Sequence, residues 1–187
     1  MATSNPRRAP ARPARTRRTK PAPAPHVARP RVVHLAAYRR DELDELFATL
    51  DAPPPHAPSG RLRGRLFAVL PGGFWPRPLV RLQSWLLGVG GAAWAGKRFE
   101  GTTGANLLGS LHLGWEVGFF RLVRGVGGDG KRALLLDYDV PRNPAAIRSV
   151  LGELRVLGPD TYLARMRWRA GEHRVLTLLY FTLQAND

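Results

Sequence analysis

From Thr161 to Arg169 the side chains change character at every step: Tyr162, Ala164, Met166 and Trp168 alternate with Leu163, Arg165, Arg167 and Arg169. A period of two belongs to a strand with one wall on a core and the other toward water; a helix cannot use it. The same period starts at Gly60, where Arg61, Arg63 and Arg65 take one face and Leu62 and Leu66 the other. Further extended segments are expected over 92–100, 104–111, 113–124, 132–139, 152–157 and 174–184. Gly127-Gly128-Asp129-Gly130 and Ala170-Gly171-Glu172 supply hairpin turns between the later ones. About eight short strands with few helices predict a mainly β chain, an antiparallel meander that closes or nearly closes into a barrel. Closure also removes the edges that an open sheet would expose to aggregation.

Two segments break the period. Leu43, Leu46, Phe47 and Leu50 repeat at i, i+3, i+4 and i+7, which predicts a short helix over Asp41–Leu50. Asp41, Glu42, Asp44 and Glu45 crowd its first turns, where the helix dipole favours negative charge, and Pro53-Pro54-Pro55 stops it. Leu79, Leu82, Leu86 and Val89 mark a second helical stretch over 78–89, started by Pro78 and placed to act as a lid or plug with Gly88, Gly90 and Gly91 as its hinge.

Charge is distributed unevenly. The 187 residues carry 29 Lys+Arg against 14 Asp+Glu, a formal +15, yet residues 1–40 hold 11 basic side chains and no acid, which leaves only +4 for residues 41–187. Residues 1–31 contain seven prolines and almost nothing large and apolar. Such a segment cannot bury enough surface to offset its conformational entropy, so 1–40 reads as a disordered basic Pro/Arg-rich tail and 41–187 as a single β-barrel domain with a short leading helix. The arginine pairs at 7–8 and 17–18 invite an export reading, but Pro21, Pro23 and Pro25 follow instead of an apolar core, so a cytoplasmic tail is expected. The most apolar stretch, 79–95, includes Arg81, Gln83 and three glycines and makes a poor span, so no transmembrane segment is expected. The tail is the candidate nucleic-acid contact: arginines on phosphate give sequence-independent, salt-sensitive affinity, and the other reading is a solubilising tail. No recognition helix, zinc finger or stacking strand adds specificity.

Several motifs invite chemistry. Gly125-Val126-Gly127-Gly128-Asp129-Gly130-Lys131 fits both GxGxxG and GxxxxGK, yet both need a following helix to place backbone N–H groups on phosphate. A strand, 132–139, follows instead, so a glycine-rich hairpin turn is expected. Ser110 and His112 would share a strand face with Glu116, short of an oxyanion hole or a full set of metal ligands. With no cysteine there is no disulfide, thiol nucleophile or thiolate metal site. No acid, base and nucleophile set stands out, and no pattern calls for a cofactor or metal. The chain reads more as a binder than as an enzyme.

The more informative residues lie in the barrel region. Trp94-Ala95-Gly96-Lys97-Arg98-Phe99 is a W-x-G-K-x-F run, preceded by Gly60-Arg61-Leu62-Arg63-Gly64. Leu135-Leu136-Asp137-Tyr138-Asp139 leads on to Asn143-Pro144, Ile147-Arg148, Glu153-Leu154-Arg155, Tyr162-Leu163 and Tyr180-Phe181-Thr182-Leu183. Together these segments resemble small bacterial β-barrel proteins of lipocalin-like, or calycin-like, shape, with a more distant similarity to proteins named for a G-x-W-x-G motif. The resemblance implies a calycin-like barrel and carries no particular activity with it. An eight-stranded barrel either fills with side chains or holds one small ligand. A small apolar or amphipathic, fatty-acid-like guest is therefore the first expectation, bound by Trp94, Lys97, Phe99, Tyr138, Arg155, Tyr162 and Trp168. Lys97, Tyr138 and Arg155 would meet its polar head. The second expectation is an interaction module whose tail meets nucleic acid or an anionic membrane surface. The same residues also admit a structural reading, in which Asp137 and Asp139 pair with Arg148 or Arg155 at a barrel mouth and Lys97 lays its stem over aromatic surface.

Overall fold

Eight strands run around a closed barrel in chain order in the computed structural model, which describes residues 32–67, 94–169 and 175–185. They are β1 (Gly60–Phe67), β2 (Trp94–Glu100), β3 (Thr103–Leu108), β4 (Trp115–Val126), β5 (Arg132–Asp137), β6 (Val150–Gly158), β7 (Thr161–Arg169) and β8 (Val175–Ala185). Each pairs antiparallel with the next, and β8 pairs back onto β1 from Leu62↔Ala185 to Phe67↔Tyr180. The meander expected from the period of two thus closes. Among the described residues two α-helices accompany it, α1 (Arg40–Thr49) and the single turn α2 (Ala145–Arg148). The helix expected at 78–89, the turn at 170–172 and residues 1–31 lie outside the described residues.

The barrel interior is apolar and aromatic. Leu62, Trp94, Phe99, Phe120, Leu134, Leu136, Tyr138, Leu154, Tyr162, Met166, Phe181 and Leu183 form one buried cluster. Each large side chain taken out of water stabilises the fold by roughly 1.5–3 kcal/mol before conformational entropy is charged against it. Ring contacts knit the middle: Trp94 meets Phe181 edge-on at 5.6 Å, Phe99 meets Phe120 at 5.6 Å, and Phe120 meets Tyr138 at 5.3 Å.

A second core lies outside the barrel. Leu43, Phe47 and Leu50, the face expected of the helix, pack on Phe67, Leu157, Leu163 and Tyr180, which point outward from β1, β6, β7 and β8. The β7 wall expected to face water is therefore half covered: Leu163 is fully buried and Arg165 is buried beside it. Alternation reports which side chains leave the barrel, and the docking of α1 decides whether they reach water. A 3₁₀ helix at Val32–Ala37 adds Leu35, fully buried in the same cluster, so packing begins ahead of the boundary expected at residue 41.

Two strand ends differ from expectation. The segment expected at 104–111 stops at Leu108, and Gly109–Gly114 forms a turn that buries Leu111 and in which Ser110 Oγ accepts the Leu113 N–H at 2.8 Å. The strand expected to reach residue 139 ends at Asp137, because Asn143 folds the following chain back. Its side-chain amide accepts the Phe119 N–H at 2.9 Å and donates to the Phe119 and Tyr138 carbonyls at 2.6 and 2.8 Å. One side chain thus takes the place of a ladder residue beside β4, and it is buried as such a role requires.

Candidate functional site

Lys97 points from the middle of β2 into the barrel and is fully buried. Two neighbouring features bring it there. Gly96 has φ +147 and would drive a Cβ onto the Leu62 carbonyl oxygen at 1.9 Å, so only glycine lets β2 approach β1 this closely. Gly64 lies under the Trp94 indole, where any Cβ would fall within 2.2 Å of the ring. The G-x-x-x-G run of β1 and the W-x-G-K run of β2 are therefore two halves of one packing arrangement.

The Lys97 amine donates to Asn106 Oδ1 and, at 2.6 Å, to the Tyr138 hydroxyl. Asn106 is held in turn: its Nδ2 donates to the Gly118 carbonyl at 3.1 Å, and its Oδ1 also accepts the Trp94 indole N–H at 3.3 Å. The Gly118 carbonyl can only accept, so it fixes which way the Asn106 amide is turned. Four rings surround the amine, with centroids 5.1 Å (Phe181), 5.2 Å (Phe120), 5.3 Å (Tyr138) and 5.7 Å (Trp94) from Nζ. Among the described residues no carboxylate lies within ion-pairing distance of it. Ring faces attract a cation, but they do not replace bulk water. Burial brings the amine down from its ordinary 10.5 to about 7, and it pushes the Tyr138 phenol up, so the phenol keeps its proton.

A different polar cluster lies on the outer wall under α1. Arg155, fully buried, donates to both Asp129 oxygens at 2.7 Å, to the Phe47 carbonyl at 2.8 Å and to the Lys131 and Arg132 carbonyls at 3.2 Å. Its guanidinium also stacks 4.5 Å from the Phe47 ring. Glu153, equally buried, pairs with Arg165 at 2.7 Å and Arg167 at 2.6 Å and accepts the Gly128 N–H at 3.0 Å. Asp44 of α1 reaches Arg165 at 3.6 Å and accepts the Tyr180 hydroxyl. Burial raises the Asp129 carboxyl, but the Arg155 bonds and the Lys131 N–H outweigh it and leave the group below its ordinary value. This network fastens helix, hairpin and sheet together.

The seven residues expected to bind a guest are therefore divided. Lys97 and Tyr138 touch, and Trp94 flanks them. Phe99 lies in the same interior cluster through Phe120, as do Tyr162 and the partly buried Trp168 on the β7 wall. Arg155 lies on the opposite side of the sheet, so it is not brought together with Lys97 and Tyr138. Asn106 and Phe120 also surround the amine and are absent from the sequence reading; Phe181 does so too, and stands there only in the run that carries the resemblance, not among the expected binders. For Asn106 a signal existed: a lone amide between Ala105 and Leu107, at an inward position of an otherwise apolar strand.

The remaining motifs resolve into structure. Gly125–Lys131 is the hairpin between β4 and β5, closed by Gly127 N–H to the Lys131 carbonyl at 2.7 Å, and a strand follows it. Lys131 donates to the Ala48 carbonyl at 2.6 Å, near the C-terminus of α1, where a cation is favourable. Ser110 and His112 lie in the β3–β4 turn rather than on a strand, and Glu116 holds Arg98 in a two-bond pair at 2.5 and 2.8 Å. The carboxylates of the 137–139 run take separate partners: Asp137 pairs with Arg121 and Arg169, and Asp139 with Arg148. The expected Asp139–Arg148 pair forms, whereas Arg155 goes to Asp129.

No protein-family model matches the chain, and no curated protein does so. Among solved structures, a protein from Thermomonospora curvata, known from a crystal structure, shares 22% sequence identity with it. The match covers 83% of this chain and 95% of that one, with a TM-score of 0.58. At this identity the likeness concerns the fold alone. Among the described residues no helix is long and apolar enough to cross a membrane.

Proposed function

We propose that the protein binds one small amphipathic, fatty-acid-like molecule inside a calycin-like barrel. Its apolar chain would lie along the aromatic and aliphatic wall, and its oxygen-bearing head would meet Lys97, Asn106 and Tyr138. The observation that carries this reading is a fully buried lysine whose partners are neutral. An ammonium or amine in an apolar interior costs several kcal/mol of desolvation, and a purely structural core would be better served by leucine or methionine. A polar head group delivered by a guest gives the lysine a use. Displacement of an environment-sensitive fluorescent fatty acid tests the reading. Saturable binding that weakens at least about tenfold in Lys97→Met and is unchanged in Arg124→Gln, a surface arginine outside the barrel, is the expected result. Absence of saturable binding by the wild-type protein overturns it.

A second, separable activity rests on composition: nine basic side chains and no acid in residues 1–31 suit weak contact with nucleic acid or an anionic membrane surface. Binding to duplex DNA should collapse when salt is raised from about 50 to about 200 mM, as counterion release requires. Salt-insensitive or sequence-specific binding contradicts it.

A further inference from the structure

The chain has 26 arginines and only three lysines, Lys20, Lys97 and Lys131. On the folded surface arginine serves almost wherever a cation is needed, as in the pairs of Arg98, Arg121, Arg148 and Arg169. The interior position holds lysine. The two are chemically unlike in one decisive respect: a guanidinium stays charged and non-nucleophilic, whereas an amine freed of its proton carries a reactive lone pair. A neutral amine has two N–H donors, and Lys97 Nζ has two oxygen acceptors, Asn106 Oδ1 and Tyr138 Oη, among the described residues. With both protons so placed, the lone pair is left without a hydrogen-bond partner among the described residues.

We propose that Lys97 is a carbonyl-reactive amine, and that the guest it receives is a hydrophobic aldehyde held as an imine on Nζ. The proposal rests on the binding reading above and names the head group. The Nζ lone pair adds to the carbonyl carbon, the carbonyl π pair moves to oxygen, and one N–H proton passes to that oxygen to give a carbinolamine. The C–O bond then breaks and the second N–H proton departs, so that the oxygen leaves as water and C=N replaces C=O. No electrons enter or leave the system, and no further reactant is required. Tyr138 is placed to act on the oxygen, since its hydroxyl touches Nζ and burial keeps the phenol protonated. It can lend its proton to the departing hydroxyl and recover one from nitrogen. Asn106 orients the amine, being itself fixed by the Gly118 carbonyl. The four ring faces then suit the protonated imine as they suit any cation in this space. Burial, which leaves the amine half deprotonated near neutrality, supports the same chemistry.

The test uses the full-length protein, decanal, and decanol as the chain-matched molecule without a carbonyl. Protein is incubated with decanal near neutral pH, reduced with cyanoborohydride, digested and mapped by mass spectrometry. The expected result is one decyl group on Lys97, formed at least about tenfold faster than on Lys20, Lys131 or the N-terminal amine. Tyr138→Phe should slow trapping several-fold at saturating decanal, where weaker head-group binding no longer limits the rate, whereas Arg124→Gln should leave both trapping and displacement of the fluorescent probe by decanol as in the wild type. Adducts spread over the other amines, or none, with decanol and decanal still displacing the probe, overturn the imine and leave the binding reading standing. If neither compound displaces the probe and Lys97 stays unmodified, both readings fall. The distribution of adducts in the wild-type chain decides the matter even if a variant does not fold.

Discussion

Replacing Lys97 by methionine removes the amine while keeping a flexible side chain of similar length, and its effect on stability must depend on pH. The folded protein holds this group at about 7 and the unfolded chain at about 10.5. Between those values the unfolded state binds the proton and the folded state does not, so wild-type stability rises with pH across the window. Below pH 7 the group is charged in both states and its full desolvation cost, about 5 kcal/mol for 3.5 pH units, weighs on the fold; above pH 10.5 the cost has gone. Lys97→Met lacks the term at every pH. It also loses the bonds to Asn106 and Tyr138, a pH-independent cost of about 1–3 kcal/mol, softened because Trp94 still donates to Asn106. The gap between variant and wild type should therefore move by about 4–5 kcal/mol against the variant between pH 7 and pH 10.5. Urea denaturation at five or six pH values, with m held common, reads this directly, because all other titrating groups cancel in the difference. Curves that stay parallel across the window would show that Lys97 keeps its ordinary affinity for the proton, and would refute the account of the buried amine.

Glu153→Gln takes the nearest carboxylate from buried Arg165 and the one carboxylate paired with half-buried Arg167 among the described residues; because Asp44 and Asp129 stay within 3.6 and 3.7 Å of Arg165, the cost in urea denaturation should be about 3 kcal/mol, the lower end for a broken buried pair, and a loss below about 1 kcal/mol would mean the pairs are dispensable. Asp129, Asp137 and Glu116 all sit below their ordinary values, so their contribution is present above the unfolded carboxylate range and is lost as pH falls through it and below. An acid titration by circular dichroism should show this limb, and Asp137→Asn should flatten it; an unchanged limb would mean that Asp137 contributes nothing to it. Lys131→Ala removes a bond to the Ala48 carbonyl and no ligand contact, so calorimetry with ATP should show no binding in either protein. Micromolar affinity lost in the variant would reverse the reading of the glycine-rich loop.

The strands were legible because the period of two survives in the sequence wherever one wall is apolar, as at Tyr162-Ala164-Met166. The glycine-rich run is legible as a hairpin for the same reason: a strand pattern, not a helical one, follows Lys131. The end of β5 is not legible in the sequence, because Tyr138 continues the alternation. What stops the strand is an amide five residues on, Asn143, whose bonds to Phe119 no local pattern announces. Arg155 was grouped with Lys97 and Tyr138 on chemical likeness. A count along β6 from Leu154 would have placed Arg155 on the outer wall, but not what covers it there.

By itself the sequence determined the class of structure: a mainly β chain in antiparallel order, a helix with an apolar face at Leu43 and Phe47, and a lysine between two aromatics on one strand. Periodicity and turn chemistry are local, and a single chain carries them in full. Only the tertiary structure decided which polar groups meet. Closure of β8 on β1 makes one wall an interior, and that interior turns Lys97 from a surface cation into a buried amine facing Asn106 and Tyr138. The docking of α1 encloses Arg155 and Glu153 on the other wall. Both outcomes depend on contacts between residues far apart in the chain, where solvation and pairing are set by what lies across the sheet rather than by the neighbours in sequence.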